Sequence, residues 1–268
     1  MSWFNDNFNM TWSQNLIMRI LKLGPIPRHI AFIMDGNRRY AKKIGITRNF
    51  GHLKGFETLS MILHCGLKLG FKEVTVYAFS IENLKRSKDE IDELMELAKE
   101  KFEKLLQEKS MLDKYRIRIR VWGNLSFADE KLLQLINYIT CITKHNENAT
   151  LNICFFYTST DETVSAINAL SNIAAKNIFD INNIKDDIII KDHLFTKNSL
   201  DIDLLVRTSG ETRISDFLTW QIGYSCLYFV DILWPEFTIW QLFKAVLFYQ
   251  FNYIAIQKLK KQLTQALY

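Results

Sequence analysis

A chain of 268 residues that is 48% hydrophobic and 24% charged has enough apolar material for one large packed core, which excludes wholesale disorder. The net charge of +5 is spread along the chain rather than gathered into a stripe, so nucleic acid is excluded as a partner. Three prolines and no Pro-, Gly- or Ser-rich run leave no candidate linker.

Residues 1–24 form an N-terminal amphipathic segment, in which Trp12, Leu16, Ile17, Ile20 and Leu21 recur at helical spacing beside Arg19 and Lys22. Two readings of that helix stand side by side: packing on the chain's own domain, or a role at a membrane surface or tunnel mouth. The first residues are polar and acidic, without the positive and apolar regions of a secretory signal. One domain is expected over residues 25–268.

His29–Met34 reads as a first strand, ending at Asp35-Gly36, and Leu53–Leu69 as a helix stopped by Gly70. Val74–Phe79 is the second strand and Glu90–Lys109 a long charged helix. In the third strand, Tyr115–Val121, Arg116, Arg118 and Arg120 alternate with apolar residues and are assigned to a solvated face. The helix Ala128–Thr143, the strand Leu151–Phe155 and the helix Glu162–Ala175 follow, then the strands Asp203–Val206 and Leu227–Val230. Strands separated mostly by helices predict an α/β fold: a central, mostly parallel six-stranded sheet flanked by helices.

The most hydrophobic stretch, Phe217–Trp234, is interrupted by Gln221 and Asp231 and is not read as a membrane span. Cys65, Cys141, Cys154 and Cys226 lack metal-ligand spacing and sit among apolar residues, so all are expected to be buried free thiols. The C-terminal helix, with Trp240, Phe243, Phe248, Phe251 and Tyr253, offers more apolar side chains than one face can bury, which predicts a partner surface.

Ligands of such sheets gather beyond the carboxyl ends of the strands, and three predicted strand ends are rich in polar groups. After the first comes Asp35-Gly36-Asn37-Arg38-Arg39: a carboxylate, a glycine that lets backbone approach a ligand, and two arginines opening a helix. The alternative is a solvated turn with Asp35 as helix cap. Arg207–Ser215 supplies a second set of arginines, hydroxyls and a glycine, against the alternative of a surface loop with Arg-Glu pairing. Ser80–Lys88 is the third and by itself reads as a helix start capped by Ser87. Together the three segments imply two anionic groups held side by side.

With these motifs in hand, the chain resembles the cis-prenyltransferases. The segments His29–Lys43, Val74–Lys88, Asn152–Glu162, Arg207–Gln221 and Leu233–Phe237 are similar to that family's blocks, in order and nearly end to end. The start Met1-Ser2-Trp3, the block Met34–Lys43 and Ser225-Cys226-Leu227 are closer to the eukaryotic dehydrodolichyl diphosphate synthase catalytic subunits than to bacterial undecaprenyl diphosphate synthases. The chain departs from the pattern at Tyr40, where bacterial members have tryptophan, and at Leu84, where an aromatic residue is usual. Thr160 replaces an arginine and is given no role, and Cys226 stands where bacterial enzymes have a glutamate implicated in metal binding.

The resemblance implies an α/β fold with a hydrophobic tunnel, Mg²⁺ as cofactor, and isopentenyl diphosphate and farnesyl diphosphate as substrates of a long-chain polyprenyl (dehydrodolichyl) diphosphate synthase. It implies a metal-binding role for Asp35, catalytic roles for Asp35, Asn83 and Ser215, and an allylic diphosphate site of Gly36, Asn37, Arg38, Arg39, Arg48, His52 and Ser80. Arg86, Arg207, Arg213 and Ser215 fall to isopentenyl diphosphate; the base is Ser215 or a diphosphate oxygen. It further implies a peripheral place on the cytosolic face of the endoplasmic reticulum membrane, in a glycosylation-lipid pathway.

The family's R-x-G motif does not occur in Lys260–Tyr268, which implies a Nogo-B-receptor-like subunit that supplies it, with a homodimer as the alternative. A non-catalytic scaffold subunit is the rival function, disfavoured because Asp35, Arg39, Arg207 and Arg213 are all present. All-helical trans-prenyltransferases are rejected, since Asp186-Asp187 does not open a D-D-x-x-D motif.

Overall fold

The sequence pattern of strands bounded by glycine, charged turns and amphipathic helices yields, in chain order, α1 (Trp12–Leu21), β1 (His29–Ile33), α2 (Asn37–Ile44) and α3 (Arg48–Leu69). β2 (Glu73–Ser80), α4 (Lys88–Gln107), α5 (Lys109–Lys114), β3 (Ile117–Trp122), α6 (Glu130–Ile142) and β4 (Ala149–Tyr157) follow. α7 (Ser159–Ala175), α8 (Asp186–His193), β5 (Leu204–Arg207), β6 (Cys226–Phe229) and α9 (Ile239–Leu267) complete the chain. This computed structural model describes residues 2–4, 8–175 and 186–267; Met1 and Tyr268, which belong to segments singled out above, lie outside them.

The strands form one six-stranded sheet in the order β3-β4-β2-β1-β5-β6. Every pair is parallel, so the sheet is wholly rather than mostly parallel. Buried on both sides, β1 has no polar alternation to show: all five residues are buried. Its alternate side chains face opposite layers. Ile30 and Phe32 join the larger core with residues of α3, α4, α6 and α9, whereas Ala31 and Ile33 meet Tyr157, Phe217 and Leu218 in a smaller one.

α3 starts at Thr47, whose hydroxyl accepts from the Phe50 amide, and stops at Gly70, whose φ of 98° is left-handed. α1 puts Met18 and Leu21 into the core and packs against α9, while Trp12, Leu16 and Ile20 remain exposed. The block Leu233–Phe237 is structural as well: buried Trp234 donates its indole N–H to the Gly55 carbonyl at 2.7 Å and pins α3 to the sheet.

Several expectations need correction. The third strand begins at Ile117, because Tyr115 caps α5 and Arg116 has a left-handed φ of 51°. Its face is only partly solvated: Arg120 lies 3.7 Å from the buried carboxylate of Glu73. Cys65, Cys154 and Cys226 are buried, but Cys141 is exposed on α6. Ser87 occupies the cap position of α4 without a side-chain capping bond. Among the described residues no helix is long and apolar enough to cross a membrane.

Candidate active site

The chain reversals after β1, β2 and β5 meet at one edge of the sheet, as parallel register requires, and open into a cavity of about 930 Å³. Its mouth is polar, with Asp35 to Arg39, His52, Ser80, Asn83, Arg86, Arg207, Arg213 and Ser215 on the wall. Of the residues predicted from the sequence, Arg48 alone is not on that wall. Farther in, the lining becomes apolar: Phe56 and Leu59 of α3, Val76 and Phe79 of β2, Leu94, Leu97, Ala98 and Phe102 of α4, and Trp3.

Gly36 caps α2 with φ 111°, and a Cβ there would come within 3.0 Å of Leu233. Only glycine permits this turn, which sets Asn37, Arg38 and Arg39 in the first turn of α2 at the cavity mouth. Asp35 is therefore not the helix cap. Its Oδ2 lies 3.0 Å from Nη2 of Arg207 at the end of β5 and 3.6 Å from Arg39. Arg39 also donates to the Ser209 hydroxyl and reaches Glu211 at 3.4 Å.

Arg207 is buried, with 3% of its side chain exposed, and is fixed from several directions. Besides Asp35 it donates to the Arg213 carbonyl at 2.5 Å and to Ser215 Oγ at 2.8 Å. Ser215 has a left-handed φ of 51°, a conformation unfavourable for a residue with a Cβ. Arg213 extends outward, 64% exposed, and pairs with Glu211 at 2.5 Å. The Arg-Glu pairing offered as an alternative is thus present, on the rim of the same cavity.

Ser80 and Asn83 close a 3-10 turn over Ile81–Lys85 by reciprocal capping: the Glu82 amide donates to Ser80 Oγ, and the Ser80 amide to Asn83 Oδ1. Arg86 follows that turn, and burial together with nearby Arg38 lowers its pKa. Burial and then Arg86 push His52 down to about 4, so its imidazole is neutral at physiological pH. Arg38, Arg48 and Arg86 all reach Glu90, a buried carboxylate of α4 that sequence reasoning took for the start of a charged helix.

Three more residues were missed. Tyr77 donates to the carbonyls of Tyr157 (3.1 Å) and Ser215 (3.4 Å) and stacks on Phe217 at 4.4 Å, bracing the loop that carries Ser215. Lys101, buried on the cavity wall, places its ammonium 4.7 Å from the centre of the Phe56 ring. Trp3 closes the apolar end: its indole donates to the Lys101 carbonyl at 2.8 Å and its amide to Glu108 at 3.0 Å. Trp3 entered the sequence reading only through the start Met1-Ser2-Trp3; a tryptophan two residues from the start has no periodic neighbours, so no periodicity places it on the cavity wall.

Cys226 does not join Asp35. It opens β6 opposite Leu204, whereas Asp35 lies past the opposite end of β5's register, beyond Arg207. Burial raises its thiol to about 11, which leaves a neutral group. Among the described residues, no group of three or more His, Cys, Asp or Glu side chains is poised for a metal. Asp35, one-third exposed on the cavity wall, suits a hard cation that shares its coordination with phosphate oxygens rather than a cage built by protein alone.

The chain is similar to known proteins along most of its length. A family model described as putative undecaprenyl diphosphate synthase matches residues 33–255. The human dehydrodolichyl diphosphate synthase complex subunit DHDDS is 46% identical over 96% of this chain and 77% of its own length. A tritrans,polycis-undecaprenyl-diphosphate synthase (geranylgeranyl-diphosphate specific) of Thermoplasma acidophilum is 39% identical over 88% of this chain and 91% of its own. Among solved structures, lavandulyl diphosphate synthase from Lavandula x intermedia, in complex with dimethylallyl diphosphate, superposes with a TM-score of 0.79 at 29% identity. It covers 84% of this chain and 95% of that one.

Proposed function

The chain belongs to the cis-prenyltransferase family, and from that premise we propose that it condenses isopentenyl diphosphate with an allylic diphosphate, starting from farnesyl diphosphate, into a long-chain polyprenyl (dehydrodolichyl) diphosphate. The observation that carries this reading is the cavity itself: an arginine-rich mouth at the carboxyl ends of the strands leads into an apolar body between α3 and α4. Such a shape takes a charged head and a hydrocarbon tail.

The allylic diphosphate is assigned to the Gly36–Arg39 turn with Arg48, His52 and Ser80, and isopentenyl diphosphate to Arg86, Arg207, Arg213 and Ser215. Arginines are suited to both because their planar forks pair with phosphate oxygens. In the reaction the bond from allylic C1 to its diphosphate oxygen breaks, and the terminal alkene carbon of isopentenyl diphosphate bonds to C1. A proton leaves C2 of the isopentenyl unit, and diphosphate departs.

Asp35 would hold Mg²⁺ together with diphosphate oxygens, and when bound the ion supplies charge stabilisation to the departing diphosphate. Arg38 and Arg39 add to that stabilisation from the first turn of α2, and Asn83 holds the turn that carries Ser80. Because Ser215 Oγ already accepts from the Arg207 guanidinium, its oxygen is a poor base, and the proton is assigned to a diphosphate oxygen. Ser215 then donates its hydroxyl hydrogen to isopentenyl diphosphate.

The reading extends to a complex. Leu227 on the edge strand β6 and Trp240, Leu247 and Phe248 on α9 are exposed, which favours a second subunit on this side. The human relative is named as a complex subunit, and the partner assigned here is a Nogo-B-receptor-like chain that supplies an R-x-G motif, with a homodimer as the alternative. The exposed apolar residues Trp12, Leu16 and Ile20 of α1 support peripheral attachment at the cytosolic face of the endoplasmic reticulum. A scaffold role is disfavoured, because the Asp35–Arg207 pair and both arginine sets are intact.

Incubation with farnesyl diphosphate, labelled isopentenyl diphosphate and Mg²⁺, with and without the partner, followed by chain-length analysis, tests the proposal. Long polyprenyl products are expected with the partner. No incorporation in either arm overturns it.

A further inference from the structure

A site for two diphosphates is expected to leave its arginines facing the ligand, yet three of them converge on a side chain. Nη1 of Arg38 lies 3.5 Å from Glu90 Oε1, Nη1 of Arg86 lies 2.9 Å from the same oxygen, and Nη1 of Arg48 lies 3.3 Å from Oε2. These arginines come from α2, from the turn preceding α4 and from α3, so only the Arg86 contact follows from helical spacing. The carboxylate is buried, with 7% of its side chain exposed, whereas Arg38 and Arg48 are 55% and 52% exposed.

A buried carboxylate requires partners, and Arg86, the least exposed of the three, satisfies that need. Two further guanidiniums that remain half in solvent add little to folding. Their convergence is better understood as the resting arrangement of ligand-binding groups. Uncompensated, three neighbouring cations repel one another and spread; around one carboxylate Arg38 and Arg86 stay gathered on the cavity wall, with Arg48 held just outside it.

Building on the diphosphate reading of the site, we propose that Glu90 is a positioning residue that stands in for substrate phosphate oxygens. In the empty site it holds Arg38, Arg48 and Arg86; it yields Arg38 and Arg48 to the allylic diphosphate while keeping Arg86. Because Arg86 belongs to the isopentenyl diphosphate set, this one carboxylate touches both cradles. Occupation of the first leaves Glu90 paired to Arg86 alone, which fixes Arg86 for the second substrate. After bond formation the same carboxylate competes with the departing diphosphate for the arginines and speeds its release.

The competition has a sign that a purely structural anchor does not share. The purified full-length chain, and its Glu90→Gln and Glu90→Asp variants, are titrated with inorganic diphosphate by calorimetry in metal-free buffer, with melting curves to establish folding. Loss of the competing charge makes Glu90→Gln bind about tenfold more tightly, with Glu90→Asp in between. In steady state Glu90→Gln lowers both the KM for the allylic diphosphate and kcat, the latter through slow release. Equal or weaker diphosphate binding by folded Glu90→Gln overturns the proposal, because an anchor that merely ordered the arginines would weaken binding when lost. Where Glu90→Gln does not fold, Glu90→Asp decides alone: its shortened carboxylate must also tighten binding, and equal or weaker binding overturns the proposal. Failure of the wild-type chain to bind diphosphate removes the cradle assignment itself, and this inference with it.

Discussion

Replacing Asp35 with asparagine keeps the shape of the side chain and removes its charge, which separates the chemistry of that carboxylate from its packing. Arg207, with 3% of its side chain exposed, loses its nearest anion at 3.0 Å but keeps its bonds to the Arg213 carbonyl and Ser215. Breaking a fully buried ion pair costs about 3–5 kcal/mol. Asp35 is one-third exposed and the guanidinium is not orphaned, so the lower range for a charged hydrogen bond applies, about 2 kcal/mol. In a domain of this size that lowers the Tm by about 4–8 °C and leaves the protein folded at 25 °C. Elongation falls much further, by at least about a hundredfold, since the carboxylate that would share Mg²⁺ with diphosphate oxygens is gone. Melting curves and incorporation of labelled isopentenyl diphosphate across a Mg²⁺ titration measure both effects. Turnover within a few-fold of wild type in the folded variant refutes the metal role; an unchanged Tm refutes the weight given to the Asp35–Arg207 pair.

Arg213→Ala, which removes an exposed guanidinium, leaves the Tm unchanged and raises the KM for isopentenyl diphosphate about tenfold, more than that for farnesyl diphosphate; equal effects mean that the two cradles are misassigned. Ala98→Phe, on the α4 wall of the cavity, shortens the products without slowing the first condensation; an unchanged product distribution places the growing chain elsewhere. His52 has its pKa lowered from 6.5 to about 4 by burial first and Arg86 second, so the folded state resists protonation that the unfolded chain accepts. Its contribution to stability is present above pH 6.5 and is lost as pH falls toward 4, by at most about 3 kcal/mol. His52→Asn therefore flattens the fall in Tm over that window, and identical pH profiles for variant and wild type refute it.

How far the sequence revealed this arrangement depends on the range of the signal. β1 was legible because a parallel strand buried on both faces is a nearly continuous apolar run, and Asp35-Gly36 marks its end without ambiguity. β2, which carries Glu73, Thr75 and an exposed Ala78, was legible from its β-branched and aromatic residues instead. Polar groups after strands could be gathered into one site because parallel topology puts those ends on one edge. Glu90 was not legible, since an acid in the first turn of a helix is what the helix dipole favours and nothing local shows three arginines turned toward it. Trp3 and Tyr77 act through partners about 100 and 80 residues away, Lys101 and Tyr157, and single-chain periodicity carries no such information. The exposed Cys141 was misplaced for the opposite reason: apolar neighbours along the chain do not bury a residue on the outer face of a helix.

The side of the cavity proposed above for isopentenyl diphosphate rests on an unfavourable backbone, and its support lies outside the cavity. Ser209, Ser215, Asp216 and Leu218 all have positive φ, between 51° and 76°, and each such non-glycine residue costs about 1 kcal/mol or more. Ser209 is held by its amide, which donates to the Ile232 carbonyl at 2.8 Å; what holds the stretch from Ser215 to Leu218 is the β4–α7 junction. The Ser159 amide donates to the Asp216 carbonyl at 2.8 Å, the Thr160 amide to its carboxylate at 3.2 Å, and the Thr219 amide to Ser159 Oγ at 2.9 Å. Behind them the buried carboxylate of Glu162 accepts from Tyr157 (2.5 Å), Gln221 (2.8 Å) and the Thr196 amide (3.0 Å), tying the strand end to the loop. Only the backbone of Thr160 enters this lattice of bonds, which explains why threonine can replace the usual arginine there without disturbing the loop. The segments Asn152–Glu162 and Arg207–Gln221 are therefore one mechanical unit: the first supplies donors and a buried carboxylate, the second supplies the strained turn that aims Arg207 and Ser215 into the cavity.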